Sequence, residues 1–405
     1  MGLIYNAKVV TAAGKNYKNG YVAFDNGKII EAGDMAVLPF PVLETDFDAA
    51  GLTLYPGFVD AHTHLGLFGN GVGFEAADCN EDSDPVTPHL RTIDSVNPMD
   101  FCFGEAARAG VTTIAAAPGS TNPVGGQILV MKTAGSAVLD KRVIRANAAI
   151  KFALGENPKG AFSERDESPV TRMGAAAHIR EALFKARRYA EKLELYLTEP
   201  DDNDEPDFDM KSEALLPLLN GEISAHFHCH RADDIFTAVR IAREFAVRYV
   251  LIHATESGIV AGELAELREF AANPSNGKPY LSPQIVLGPL LADRGKPELA
   301  NSSSATAAIL EKAGIPAAIC TDHPETPVQY LRLTAAAAVG AGLSEEAAVR
   351  AITAVPAEIL GVGQRVGSIE PGKDADFVLL RGSFTDAAGS VVRVYVDGKH
   401  LHRYN

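Results

Sequence analysis

A (β/α)8 TIM barrel carrying a small β-sandwich formed by both termini is the fold this sequence predicts. Three observations carry the prediction. Over residues 56–360 short apolar strands alternate with amphipathic helices, and so long an alternation favours closure into a barrel over an open sheet. Residues 1–55 and 361–405 share another texture, short strands parted by the tight hairpin signals Asp25-Asn26-Gly27 and Asp397-Gly398. Histidine is scarce, 11 in 405 residues, yet it gathers where strands of the middle region end.

Taken in order, the first end offers strands at 3–5, 8–10, 21–24 and 28–30, and the last end strands at 376–380 and 391–396. Barrel strands are expected at 58–61, 112–117, 143–152, 223–227, 249–252, 284–287 and 317–320, with the eighth at 128–132. Between them the apolar positions Ile179, Leu183, Ala186, Ala190 and Leu193 step by four and three, as do Ile235, Val239, Ala242 and Ala246. That spacing puts each set on one helical face. Ser344 suits an N-cap for a helix over 345–354, and Gly314 ends the helix before Pro316. Two long polar loops interrupt the alternation, 69–97 and the acidic run 198–211, which reads as a solvated surface.

A net charge of −15 argues against nucleic acid or an anionic membrane as partner. Cys79, Cys102, Cys229 and Cys320 are scattered, which suggests neither a disulfide framework nor a zinc ribbon. No stretch approaches 18 apolar residues. These features lead to the expectation of a soluble cytoplasmic protein, a homo-oligomer acting on a small molecule.

Four strand ends carry the chemistry. On a strand His62 and His64 point to one side, about 7 Å apart. Their paired imidazoles begin a divalent-metal site. His226, His228 and His230 likewise share one parity, the next strand ends in His253, and the last ends in Thr321-Asp322-His323. Seven of the 11 histidines lie at these ends, and active sites of barrels sit there.

With the lead-in Leu54-Tyr-Pro-Gly-Phe-Val-Asp-Ala-His-Thr-His64, these residues resemble the metal-dependent amidohydrolase superfamily. Val366-Gly-Ser-Ile-Glu-Pro-Gly-Lys-Asp-Ala-Asp-Phe-Val-Leu-Leu380 is similar to that family's return into its β-sandwich, and 342–357 resembles the helix before it. The segments 151–159 and 228–234 look like an imidazolonepropionase-like, prolidase-like bacterial subgroup. The resemblance implies a hydrolase of carbon–nitrogen bonds holding one or two divalent metal ions. Zinc suits the nitrogen donors best, with iron or manganese as alternatives. His62, His64, His228, His253 and Asp322 are the implied metal ligands. Asp322 is the implied general acid and base, and His253 either a second-metal ligand or the holder of an oxyanion. Within the triplet, His228 fits the ligand position, His230 the position behind it near substrate, and His226 a deeper structural place. Two-metal members bridge their ions by a carboxylated lysine or a glutamate. Glu156 is preferred here because it leaves the strand where a ligand is wanted, with Lys151 as the other candidate or a substrate contact. Arg231 and Arg172 could clamp a carboxylate, and His89 and Asp94 could line the pocket. The second reading is a deaminase of an aminated heterocycle, disfavoured because no glutamate stands near the fifth-strand histidines.

Overall fold

The computed structural model describes residues 1–69, 73–273 and 281–401. Both ends of the chain enter one sheet. From the first come β1 (Gly2–Val9), β2 (Tyr17–Asp25), β3 (Lys28–Asp34), β4 (Phe47–Asp48) and β5 (Thr53–Pro56). The middle supplies β6 (Phe58–Thr63), β7 (Val111–Ala116), β8 (Val124–Lys132), β9 (Val143–Ala153), β10 (Ser224–Cys229), β11 (Tyr249–His253), β12 (Gln284–Leu287) and β13 (Ala317–Ile319). The last end adds β14 (Phe377–Arg381), β15 (Ser390–Val396) and β16 (Lys399–His400).

The end sheet runs β16-β15-β14-β5-β1-β2-β3, with β4 on β1. The two ends of the chain join where β14 pairs antiparallel with β5, Leu379 opposite Leu54. Both expected hairpins form with left-handed central residues, Asn26 and Gly27 at φ 48° and 76°, Asp397 and Gly398 at 49° and 72°. Two such residues in a row match the twist of the flanking strands. The sheet curls until these hairpins meet: Phe24 packs edge-on against Phe377 at 5.6 Å and Tyr395 at 5.8 Å. In place of the expected sandwich of two sheets, the described strands thus form a single curled one.

The second sheet is a nearly closed eight-strand barrel in chain order, β6 to β13. Seven strands fall where the apolar runs placed them, and the eighth candidate is the second half of β8. Its direction differs from expectation, because β8 runs antiparallel to both β7 and β9. Strands so paired need only a turn between them, so no α-helix separates β7 from β8 or β8 from β9, where only the single 3-10 turn Leu139–Lys141 intervenes. Elsewhere the pairing is parallel and helices cover the outer face. In the helix Ala232–Phe245, Ile235, Val239, Ala242 and Phe245 are buried. Each large side chain there contributes roughly 1.5–3 kcal/mol on leaving water. Ala246, expected to continue that face, instead takes a left-handed conformation at φ 56° and stops the helix. Ser344 caps its helix by accepting from the Ala347 N–H. No described helix is long and apolar enough to cross a membrane.

Strand alternation fixes what enters the barrel. Lys151 on β9 stands opposite His226 on β10, so both face inward, while the neighbouring Phe152 and Phe227 stack outside at 5.0 Å. Between β13 and β6 the wall is joined past the end of β13, where the Asp322 N–H donates to His62 O at 3.1 Å and the His64 N–H donates to His323 O at 2.9 Å.

The two sheets are tied by charge as well as by apolar packing. Lys132, at the end of β8, is 3% exposed and donates to Asp376 at 2.5 Å while lying 3.0 Å from Asp374. Burial pushes its pKa down, but Asp376, Asp397 and Asp374 raise it overall, so it stays an ammonium. Removing one member of a buried charge group leaves the others uncompensated. Lys132→Ala should therefore lower unfolding stability by roughly 3–5 kcal/mol, read from chemical denaturation. An unchanged midpoint and slope would show that the ion cluster does not hold the sheets together.

Candidate metal centre

Two groups of side chains converge at the carboxyl ends of the barrel strands. In the first, His62, His64 and Asp322 bring one donor atom each within 4.8 Å of one another. His62 Nε2 and His64 Nε2 lie 3.4 and 3.3 Å from Asp322 Oδ1, yet that oxygen has no aligned hydrogen bond. Atoms that approach so closely without donating to one another point at a common centre. The fold holds them there: Asp322 adopts φ 53°, and the preceding Thr321 donates its hydroxyl to Asp60 Oδ2 at 2.5 Å. Asp60 also accepts from the His62 N–H at 3.3 Å, so one buried carboxylate orients both halves of the group. Burial pushes the Asp60 carboxyl up to about 7.

The second group is His228, His230 and His253. Their ring centroids are 4.6 to 4.7 Å apart, His230 stacked on His253 with planes 14° apart. His253 closes β11 at φ 68° and donates from Nδ1 to Gly288 O at 2.7 Å; His64 donates likewise to Ala117 O at 2.7 Å. A ring that gives its Nδ1 proton to a carbonyl presents an Nε2 lone pair to a metal. His230 Nδ1 meets Thr255 Oγ1 at 2.8 Å, and the Nε2 atoms of His228 and His230 are buried without partners. Burial, with Lys151, lowers the pKa of His62 well below the usual value; burial and the neighbouring imidazoles do the same for His228 and His230. His253 falls to about 4, mainly through burial. The neutral imidazoles of His62, His228, His230 and His253 fit a divalent cation, whereas at His64 burial lowers the pKa but Cys79 and Asp322 outweigh it and raise it to about 10. In Asp322 burial raises the pKa, but His253, His64 and Lys151 outweigh it and keep the carboxyl below its ordinary value.

Lys151 stands beside the first group, and its charge reaches the second. It is fully buried, its Nζ lies 3.0 Å from His62 Nε2, and burial lowers its pKa to about 8. Glu156, expected as the bridging residue, belongs to neither group. Gly155 at φ 90° turns the chain off the strand, and Glu156 opens the helix Glu156–Ser163 with its N–H on Glu298 Oε1 at 2.8 Å. The other expectations divide similarly. His230 converges with the ligand candidates instead of standing behind them. Arg231 is turned outward to Asp233 at 2.8 Å, both half exposed. Arg172 is held by the buried Asp234 and Glu298. His226 lies deeper, fully buried with both ring nitrogens unpartnered. His89 and Asp94 line a cavity of about 1040 Å³ beside the barrel, on whose wall none of the six converging residues stands.

Four participants escape a reading of the sequence: Asp60, Thr321, Cys79, which raises the pKa of His64 from the polar loop, and Lys296. Asp60 had a signal, being two residues before His62 and of the same parity. Thr321 stands at the end of the last barrel strand, and Cys79 and Lys296 lie in segments without periodicity.

An eight-strand barrel with imidazoles and a carboxylate gathered at its strand ends has the architecture of a barrel enzyme. The description "Amidohydrolase family" matches residues 219–401. A crystal structure of an amidohydrolase from Thermotoga maritima MSB8 is 40% identical, covers 100% of both chains and superposes with a TM-score of 0.91. The chain belongs to the amidohydrolase family, hydrolases acting on carbon–nitrogen bonds. Amidohydrolase tasK of Hapsidospora irregularis is 29% identical over 87% of this chain, which spans only 36% of that relative's length. Imidazolonepropionase of Acidiphilium cryptum (strain JF-5) is 24% identical over 92% of this chain and 91% of its own.

With Arg172 removed, Asp234 and Glu298 would keep their buried charges without a cation. Arg172→Ala should lower stability by about 2–3 kcal/mol in thermal or chemical unfolding and leave metal content unchanged. Loss of metal without loss of stability would instead make Arg172 part of the centre.

Proposed function

We propose that this protein is a metal-dependent hydrolase of an amide, cyclic amide or dipeptide-like bond. In this reading residues 56–360 form the catalytic barrel domain, and 1–55 with 361–405 its β companion. The observation that carries it is Lys151, buried between two donor groups whose nitrogens and carboxylate oxygen point at open centres. His62, His64 and Asp322 would hold one cation and His228 and His253 a second, with Lys151 between them in place of Glu156. Zinc matches a donor set so rich in neutral imidazole. Such a cation lowers the pKa of water toward ~7 and polarises a carbonyl.

The rest belongs to side chains of this chain. Asp322 takes a proton from the attacking water on its carboxylate and returns it to the departing nitrogen, as its depressed pKa allows. Asp60 and Thr321 keep Asp322 aimed at the histidines. His253, neutral and fixed by Gly288 O, keeps its Nε2 toward the reacting centre. Four free, buried cysteines accord with a reducing, cytoplasmic setting.

His62→Ala or His64→Ala should lose bound metal, measured by elemental analysis, and lose activity with it; full metal occupancy in these variants would refute the ligand set. Asp322→Asn keeps the shape of the side chain but removes its basicity. On an amide or lactam it should reduce kcat by at least ~10²–10⁴-fold while part of the metal is retained. Ammonia released from an aminated heterocycle, with amides inert, would make the protein a deaminase instead.

A further inference from the structure

The cations first considered for holding a substrate are already engaged. Arg231 faces Asp233 in solvent, Arg172 is locked to Asp234 and Glu298, and Lys151 sits between the donor groups. Lys296 differs. It lies in the segment following β12, at the carboxyl face of the barrel, half-buried, with its Nζ 3.0 Å from Asn157 Oδ1. Asn157 is itself set by its amide, which donates to Ser120 Oγ at 2.7 Å. Segments following three different strands, β7, β9 and β12, thus fix one ammonium, and its partner is a neutral amide.

An ammonium has three donors, and a single hydrogen bond to an amide leaves it without an ion-pair partner. Among the described residues no carboxylate forms an ion pair with Lys296. Burial lowers its pKa, against the charges of Glu298, Glu156, Asp322 and Glu325, none of which is within ion-pair distance, and Glu298 is taken up by Arg172 and the Glu156 N–H. The Lys296 charge also reaches inward, where it disfavours protonation of His228, His230 and His253. A cation held at the carboxyl face of the barrel by an amide, with no ion pair among the described residues, complements an anion bound there.

We infer that Lys296, positioned by Asn157, binds a carboxylate of the substrate, so that the bond broken belongs to an acid-bearing amide such as an N-acyl amino acid or a dipeptide-like compound. This rests on the hydrolase reading given above and narrows it to one substrate class. Arginine at this place would keep the charge, and methionine would keep the length without it.

The test compares binding of N-acetylglycine and N-acetyl-L-leucine with that of their N-methylamides to the metal-loaded protein by calorimetry. In the unaltered protein each acid should bind roughly tenfold or more tightly than its amide, the strength of one charge-assisted contact. Lys296→Met should bring the two within about twofold, and Lys296→Arg should restore part of the preference, with metal content equal in all three. Equal binding of acids and amides to the unaltered protein, no binding of any acid, or a preference that survives Lys296→Met would each overturn the assignment. Failure of the hydrolase reading has a different signature: the acid preference stands, and no amide is turned over.

Discussion

The main-chain bonds from Asp322 N–H to His62 O and from His64 N–H to His323 O are what the site depends on. They join the wall between β13 and β6, and three of the four residues they link, His62, His64 and Asp322, are the first donor group itself. Geometry at this donor group and closure of the barrel are therefore one constraint. A barrel open at this seam would separate His62 and His64 from Asp322, which lie 260 and 258 positions apart in the chain. Asp60 reinforces the seam from below by binding the Thr321 hydroxyl and the His62 N–H together. Its burial fits this role, since a carboxylate that bridges two strands can be kept dry only when its acceptors are filled.

Much of this was legible in the sequence because it rests on period-two patterning. His62 and His64, or His228 and His230, share a face by parity alone, and the strands that carry them are short apolar runs between polar segments. Both hairpins of the end sheet were visible as Asn-Gly and Asp-Gly pairs. Parity says nothing of strand direction, and β8 went unrecognised as an antiparallel strand for that reason: 128–132 reads the same either way. Glu156 falls outside both donor groups for a local reason. A glycine at φ 90° after β9 ends the alternation, and a residue beyond such a turn no longer inherits the direction of the strand. Lys296 and Cys79 lie in irregular segments, where position follows from contacts far apart in sequence.

The same contrast separates the two sets of charges. Lys132, Asp374 and Asp376 are buried together and neutralise one another, and this compensation lets an ammonium lie at the interface of the two sheets. At the carboxyl face of the barrel the balance is left incomplete. The Nε2 atoms of His228 and His230 have no partner, a buried lysine lies beside His62, and Lys296 has only an amide. A stable core tolerates few such groups, so their concentration in one place is itself informative.

The reversed strand has a consequence for the order in which the centre is assembled. Antiparallel neighbours are close in sequence, whereas each parallel neighbour waits for an intervening crossover. Residues 111–153 therefore make the most local part of the barrel wall, a meander of three strands that can pair as soon as it leaves the ribosome. Lys151 stands on its last strand. His228, His253 and Asp322 reach it only through the longer connections that carry β10, β11 and the end of β13 around the wall.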